Sequence, residues 1–187
     1  QQKLQPKPGK IIEIPSDAPV FEKSLIVAGE ESSAIVQLPE LSSPYDYTAG
    51  MGREMGSHNG AHYFTIGQRK GLNVGGTAEP LFVIATDTEA NIVYTGQGSD
   101  HPGLYRPALF VQQPEVHWVR NDLRLNNGAS AEYLVRIRYR QPLEKATLFQ
   151  REEGLYILFD RPQKSIASGQ FAAWYRQDEL IGSGVIT

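Results

Sequence analysis

Hydrophobic residues occur along this chain in short runs bounded by glycine, proline or polar positions, and none of the runs has a convincing helical period. The runs are rich in valine, isoleucine, tyrosine and phenylalanine, which is typical of β-strands. Turn-forming residues are frequent, with 18 glycines and 12 prolines among 187 residues. The pattern therefore predicts a mainly β protein.

The first part of the chain is predicted to form a small antiparallel sheet. Apolar runs predict strands at 10–14, 61–66, 81–86 and 92–95. A five-residue polar turn, which ends at Asn91, joins the last two strands into a hairpin. We expect this hairpin to pair with the strand at 61–66.

Residues 17–55 interrupt this part of the chain as a long insertion. Its apolar pieces are short and lie between acidic, serine, proline and glycine positions. A hairpin, a mobile flap and an elaboration particular to some relatives all fit this composition, and we assign the insertion no function. The glycine-containing stretch 51–57 is expected to be flexible.

The second part of the chain is predicted to form a six- to seven-stranded antiparallel β-barrel. Its strands, at 8 to 12 residue spacing, are expected at 108–112, 116–119, 131–140, 145–150, 155–159, 170–175 and 180–186. A loop at 100–103 marks the boundary. We therefore expect a central β domain at 1–104 and a C-terminal barrel domain at 105–187.

Composition and charge narrow the possible functions. The formal net charge of −3 argues against a protein that coats nucleic acid by bulk electrostatics, so any contact with a polyanion must be local. The chain has no cysteine, which excludes disulfides and thiolate metal sites. Neither a membrane-spanning apolar run nor a signal segment is visible, so a cytoplasmic location is expected.

A basic tip at Gln68, Arg69 and Lys70 is the first candidate site. Gly67 and Gly71 flank the tip, where the backbone needs freedom at positive φ. Two cations and an amide beside glycine-turn N–H groups suit a nucleic-acid phosphate. The alternative is an ordinary basic turn without a ligand.

A second candidate site lies in the run 135–140, where polar and apolar residues alternate strictly. As a strand, this run would direct Arg136, Arg138 and Arg140 to one face, about 6.6 Å apart, and its apolar members, Tyr139 among them, to the other. Such a ladder of arginines matches a string of phosphates. The alternative is a barrel strand whose arginines pair with Glu144, Glu152 or Asp160.

Other chemistry-bearing residues favour structural roles. His58 and His62 are four residues apart, a spacing that suits a metal only on a helix, and Gly60 between them disfavours a helix. No metal site is therefore predicted, and His58 is expected to buttress the basic turn. The two tryptophans, Trp118 and Trp174, lie among apolar neighbours and are expected in the core. Gly182 and Gly184 are expected to allow close strand crossing at barrel closure.

Five motifs, in this order, resemble those of the tRNA-specific 2-thiouridylase family. They are Gly56-x-His58-x-Gly60, Tyr63-x-Thr65-Ile-Gly-Gln-Arg-Lys-Gly-Leu72, Arg136-Ile-Arg-Tyr-Arg140, Ser168-Gly-Gln170 and Gly182-x-Gly184-x-Ile186. The resemblance covers residues 1–16 and 56–187 and departs from the family across the insertion, where relatives usually have a short turn.

The resemblance implies that this chain is the tRNA-binding, central and C-terminal part of an enzyme that thiolates the wobble uridine at C2. It implies tRNA contacts at Arg138, Tyr139 and Gln170. An amide such as that of Gln170 can donate to and accept from RNA base edges or the 2′-hydroxyl.

The family's ATP-binding Ser-Gly-Gly-x-Asp-Ser loop and its two reactive cysteines are absent from this sequence. The chain is therefore expected to have no catalytic residue or cofactor of its own and to be inactive alone. The complete enzyme is expected to use ATP and Mg²⁺ in an N-terminal catalytic domain.

The expected partners are the tRNA anticodon stem-loop, this catalytic domain and a sulfur-relay protein, with no membrane partner. The alternative hypothesis is a protein-interaction or allosteric barrel without direct RNA contact. A third hypothesis is a translation-factor-like barrel that binds a different RNA.

Overall fold

A computed structural model describes residues 7–22 and 37–187 of the chain. These residues are mainly β, as the sequence predicts, and they group into two compact units. The first unit contains the described residues of Gln1–Lys23 together with Tyr45–Tyr105, and the second contains those of Ser24–Pro44 together with Arg106–Thr187. The apolar pieces of the insertion at 25–28 and 34–36 lie outside the described residues.

The first unit contains a four-stranded sheet. Its strands are β1 (Gly9–Glu13), β2 (Arg53–His58), β3 (Leu81–Asp87) and β4 (Ile92–Gln97), in the order β2-β1-β4-β3. The hairpin of β3 and β4 forms as predicted, with Asn91 at a φ of 57° in its turn. The pairs β1–β2 and β3–β4 are antiparallel, whereas β1 runs parallel to β4.

Two local predictions for this unit are wrong. Residues 61–66 do not form a strand, because Gly60 turns the chain at a φ of 145° and Ala61–Tyr63 follows as one turn of 3-10 helix. The predicted flexible stretch 51–57 instead contributes most of β2. Gly52 makes this pairing possible, since a Cβ at that position would lie 2.1 Å from the carbonyl oxygen of Glu13.

The sheet of the first unit is covered by apolar side chains on both faces. Adjacent residues of β1 serve the two sides: Ile11 packs with Leu72, Val83 and Val93, whereas Ile12 packs with a cluster that includes Tyr94. A register shift between Ile11 and Ile12 accompanies this change. Because Leu72 packs with Ile11, Val83 and Val93, the chain just after the basic residues 69 and 70 is fixed to the sheet.

The second unit contains a curled seven-stranded antiparallel sheet. Its strands are β5 (Tyr105–Gln112), β6 (His117–Trp118), β7 (Ser130–Arg136), β8 (Glu144–Gln150), β9 (Gly154–Lys164), β10 (Phe171–Arg176) and β11 (Glu179–Val185). Their order is β5-β9-β8-β7-β10-β11-β6. The backbone N–H of Thr187 donates to the carbonyl oxygen of Phe110 at 3.0 Å, which links the end of β11 to the edge strand β5.

The interior of the curled sheet is apolar and includes both tryptophans, as predicted. Trp118 and Trp174 are buried, and their rings meet edge to face with centroids 5.4 Å apart. Gly182 leaves room for this packing, since a Cβ there would lie 2.6 Å from the Trp174 ring. A Cβ at Gly184 would lie 2.5 Å from Val111, so close strand crossing explains both glycines.

A short helix of the insertion, α1 (Leu38–Ser42), groups with the second unit and contacts β9. Its Leu38 packs with Phe149 and Tyr156. The buried guanidinium of Arg106 donates to the carbonyl oxygen of Ser42 at 2.7 Å and to that of Ile166 at 3.1 Å. Within the described residues, no helix has the length and apolar character needed to cross a bilayer.

Candidate nucleic-acid interface

The basic loop, defined here as residues 67–71, is a rigid turn attached to β3. Gly67 and Gly71 have φ values of 86° and 89°, as the sequence predicts. The N–H of Gly67 donates to the carbonyl oxygen of Val83 at 2.8 Å, and the N–H of Val83 donates to that of Gln68 at 2.9 Å. These two backbone bonds and buried Leu72 fix both sides of the loop.

Gln68 is half buried, and backbone groups occupy both ends of its side-chain amide. Its Oε1 accepts from the N–H of Thr65 at 3.1 Å, and its Nε2 donates to the carbonyl oxygen of Lys70 at 2.8 Å. Gln68 therefore braces the basic loop.

Arg69 and Lys70 are the two cations that the basic loop presents. Both side chains are exposed, and neither forms an ion pair or a hydrogen bond within residues 7–22 and 37–187. A cation that no carboxylate neutralises keeps its full charge for a phosphate. The loop can therefore bind an anion at low reorganisation cost.

The predicted arginine ladder is wrong as a strand, because β7 ends at Arg136. Beyond it, the N–H of Ile137 donates to the side-chain oxygen of Gln141 at 3.3 Å, and the N–H of Gln141 donates to the carbonyl oxygen of Arg138 at 3.1 Å. The second bond closes a turn of four residues, Arg138–Gln141, which we name the recognition turn. Polar and apolar residues alternate here as in a strand. The backbone N–H of Ile137, however, donates to the side chain of Gln141 and not to a neighbouring strand.

The recognition turn presents Tyr139 and Arg140 at its tip. The prediction that Tyr139 shares a face with Val135 and Ile137 is wrong: those two are buried, whereas Tyr139 is 89% exposed. Arg140 is exposed and has no hydrogen-bond or ion-pair partner among the described residues. The tip thus combines an uncovered aromatic ring with an uncompensated cation.

Arg136 supports the recognition turn from β7. Its guanidinium carbon lies 4.8 Å from the ring centroid of Tyr175, and its Nη2 donates to the Tyr175 hydroxyl at 3.0 Å. Its Nη1 donates to the carbonyl oxygen of Tyr139 at 3.3 Å. Arg136 is therefore engaged with protein groups, and the turn depends on it for position.

Arg138 anchors the other side of the recognition turn. Its Nη2 donates to the carbonyl oxygens of Lys164 at 3.0 Å and Ser165 at 2.6 Å. Ser165 has a φ of 55°, which turns its carbonyl out of the path of β9. The remaining N–H groups of the exposed guanidinium have no partner among the described residues and stay available to a ligand.

The alternative of surface salt bridges to the arginines does not match the described residues. Within the described residues, none of Glu144, Glu152 and Asp160 pairs with the three arginines, whereas Arg120 pairs with Asp122 and Glu179. These two partners raise the pKa of Arg120, and Arg120 holds the pKa of Asp122 below its usual value.

Gln170 lies just before β10, with its side chain half buried. Its backbone is held by the N–H of Ile186, which donates to the Gln170 carbonyl oxygen at 2.8 Å. Its side-chain Oε1 is buried and has no hydrogen-bond partner in the described part of the chain. A contact of Gln170 with a ligand would therefore use its Nε2 donors or require rotation of the amide.

His58 and His62 occupy different environments. The Nδ1 of buried His58 accepts from the N–H of Gly60 at 2.9 Å, and burial is the main cause that lowers the pKa of this imidazole. The ring of exposed His62 packs on Tyr63 with centroids 4.0 Å apart. His58 therefore braces the turn before the basic loop. In residues 7–22 and 37–187, no cluster of three or more acidic or histidine side chains could hold a metal ion.

The sequence reasoning missed two aromatic residues near the recognition turn, Tyr175 and Phe171. Tyr175 carries the guanidinium of Arg136, and Phe171, the first residue of β10, is 65% exposed. The alternation along 171–175, with buried Ala172 and Trp174 between, could have placed both rings on the outer face.

Each of the two units contains a segment that matches a family model of a β domain. Residues 45–97 match the family model of the tRNA methyl transferase PRC-barrel domain, and residues 109–186 match that of the aminomethyltransferase β-barrel domain.

Three relatives that align with the whole chain have the same name. The tRNA-specific 2-thiouridylase MnmA of Flavobacterium johnsoniae is 56% identical over 189 residues, and that of Christiangramia forsetii is 54% identical over 187 residues; each alignment covers 100% of this chain and 47% of the relative. The enzyme of the same name from Karelsulcia muelleri is 40% identical, with 100% of this chain and 45% of the relative covered.

The chain belongs to the tRNA-specific 2-thiouridylase family. It spans about half the length of these curated relatives, 45 to 47%, and corresponds to the part that carries the two β domains. The three alignments extend over the insertion at 17–55.

Proposed function

We propose that this chain is the tRNA-holding part of an ATP-dependent tRNA-uridine 2-sulfurtransferase that modifies the wobble uridine. The observation that carries the proposal is the recognition turn, in which Arg138 and Gln141 hold Arg140 outward without a carboxylate partner among the described residues. The names of the relatives support tRNA as the polyanion that it meets.

Affinity in this proposal comes from phosphates and from the shape of the RNA. A-form helices present their sugar and phosphate groups, while their deep groove hides the base edges from side chains. Arg140 on one unit and Arg69 with Lys70 on the other each offer an uncompensated cation to such a backbone. This local arrangement is compatible with the net charge of −3.

The chemical steps are assigned to another part of the enzyme. Transfer of sulfur needs a nucleophilic sulfur of lowered pKa, and this sequence has no cysteine. It also lacks the Ser-Gly-Gly-x-Asp-Ser loop that binds ATP in the family it resembles, and the described residues contain no cluster of three or more acidic or histidine side chains for Mg²⁺. In this proposal ATP and Mg²⁺ bind the N-terminal catalytic domain. This chain holds the anticodon stem-loop so that the wobble uridine reaches that domain.

The test is the salt dependence of tRNA binding by the complete enzyme with Arg140→Ala. Because the Arg140 side chain has no hydrogen-bond or ion-pair partner among the described residues, its removal isolates the charge, and the slope of log affinity against log salt should shrink by about one unit. Arg124→Ala is the matched control, since Arg124 is also exposed and without a partner among the described residues. An equal slope in the Arg140 variant and the wild type would remove the recognition turn from the RNA surface.

A second measurement tests where the chemistry takes place. The 187-residue chain, supplied with ATP, Mg²⁺, a sulfur donor and tRNA, should form no thiouridine because it has no cysteine. Detection of thiouridine by mass spectrometry would show that the chain itself carries the reaction, contrary to the proposal.

A further inference from the structure

β10 carries two aromatic side chains on its outer face. Ala172 and Trp174 point inward and have no exposed surface, whereas Phe171 and Tyr175 lie on the opposite face. Phe171 is 65% exposed, although a ring of this size is usually covered in a folded protein. Its face is therefore accessible to a planar ligand group.

Strand pairing brings Phe171 to the end of the sheet that carries the recognition turn. Ala173 on β10 pairs with Arg136, the last residue of β7. Because the two strands are antiparallel, Phe171, two residues before Ala173, lies at the same end as Arg138, two residues after Arg136. Arg138 is the first residue of the recognition turn. Arg136 also reaches the carbonyl oxygen of Tyr139 at 3.3 Å, which keeps the exposed ring of Tyr139 at this end.

Toward β11, the surface between Phe171 and Tyr175 is made of small side chains, whereas Arg136 borders it on the β7 side. Ala173 lies between them on β10, and Ser183 pairs with Ala173 from β11. Phe171 and Tyr175 are four residues apart on a strand, so their Cα atoms are separated by about 13 Å. The guanidinium of Arg136 covers the Tyr175 ring. Of the two aromatic rings on this face of β10, Phe171 is therefore the one that remains uncovered.

We infer that Phe171 and Tyr139 stack on unpaired bases of the bound RNA, so that this end of the barrel takes a single-stranded segment. The inference rests on the proposed function. Bases in a duplex are already stacked on each other and do not offer their faces to a side chain, whereas unpaired bases do. Exposed rings beside uncompensated arginines are the combination that binds single-stranded nucleic acid without strong sequence preference.

The experiment compares two forms of one RNA with the 187-residue chain. The probe is a single-stranded RNA of about twelve nucleotides that carries 2-aminopurine at its centre, alone or annealed to its complement. Phe171→Leu should weaken binding of the single strand about tenfold, abolish the quenching of 2-aminopurine and leave duplex binding unchanged. Phe171→Trp should restore both binding and quenching.

Val119→Ala is the matched control, because Val119 is 50% exposed and lies beside Ile181 near the other end of β11. It should bind both RNAs as the wild type does. If Phe171→Leu weakens both RNAs equally, or changes neither, the stacking inference is wrong while RNA binding by the chain stands. If the wild-type chain binds neither RNA, the inference and the proposed RNA contact of this chain both fail.

Discussion

Nη2 of Arg138 lies 2.6 Å from the carbonyl oxygen of Ser165, a residue 27 positions further along the chain. The same atom donates to the carbonyl oxygen of Lys164, and Arg106 donates to that of Ile166. Two guanidinium groups thus hold the three consecutive carbonyls of residues 164–166 at the end of β9. Arg138 therefore has a structural task in addition to any contact with RNA.

This double task predicts different results for two substitutions of Arg138. Arg138→Ala removes the charge and both carbonyl contacts, so tRNA affinity should fall by about 1 kcal/mol or more and the salt slope should shrink by about one unit. Arg138→Lys keeps the charge but not the forked geometry, so it should keep the salt slope while affinity falls part of the way. Filter binding at several salt concentrations measures both quantities.

The amide of Gln141 provides an independent readout of the same contact. Its N–H donates to the carbonyl oxygen of Arg138, so its hydrogen exchange reports whether the recognition turn is closed. Exchange at Gln141 should accelerate in Arg138→Ala and stay slow in Arg140→Ala. Equal exchange in both variants would mean that Arg138 does not position the turn.

The basic loop predicts a charge effect of its own. Arg69→Ala combined with Lys70→Ala should reduce the salt slope of tRNA binding by about two units, because neither cation has a partner within the described residues. Lys10→Ala is the control: Lys10 is exposed in the same unit but lies 2.8 Å from Glu54, which compensates its charge. A slope in the double variant equal to that of Lys10→Ala would exclude the basic loop from the RNA contact.

Local sequence features predicted the parts of the fold that depend on near neighbours. Gly67 and Gly71 have the positive φ that their turn requires. The β3–β4 hairpin forms around the predicted polar turn, which ends at Asn91. Both cases need only the conformational preferences of a few adjacent residues. The alternation of apolar residues likewise located most barrel strands, because each strand buries one face.

Contacts between distant residues account for what the sequence did not predict. Val135 to Arg140 has the alternation of a strand, but a side chain, Gln141, takes the backbone N–H that a neighbouring strand would have used. The β2 strand lacks the apolar pattern of a strand and depends on Gly52 to approach β1. The outward position of Phe171 follows from the inward position of Ala172 and Trp174 on β10.

The tight packing at barrel closure predicts a large cost for a single methyl group. In Gly182→Ala, the new Cβ would lie 2.6 Å from both the His117 carbonyl oxygen and the Trp174 ring, so the free energy of unfolding should fall by about 1–3 kcal/mol. Gly75→Ala is the control, because no atom lies within 4 Å of a Cβ there. Urea denaturation should place that variant within about 0.5 kcal/mol of the wild type.

The buried imidazole of His101 predicts a loss of stability in mild acid. Its Nε2 lies 3.0 Å from the carbonyl oxygen of Ile14, its Nδ1 accepts from the N–H of Gly103 at 3.1 Å, and Phe21 packs edge-on against it. Burial lowers the pKa of His101, and it outweighs the opposing effects of the Ile14 carbonyl and the Glu13 carboxylate. The neutral form is therefore the one that the fold favours.

Because the folded-state pKa of His101 is lower than the unfolded value of about 6.5, the unfolded chain binds more protons below that pH. The contribution of His101 to stability is complete above about pH 6.5 and is lost as the pH falls through the folded-state pKa, and buried His58, whose pKa is also lowered, acts in the same direction. The wild-type free energy of unfolding should therefore decrease between pH 7 and pH 5, and His101→Gln should show a shallower decrease. Equal slopes in the His101 variant and the wild type would show that protonation of this imidazole is not coupled to unfolding.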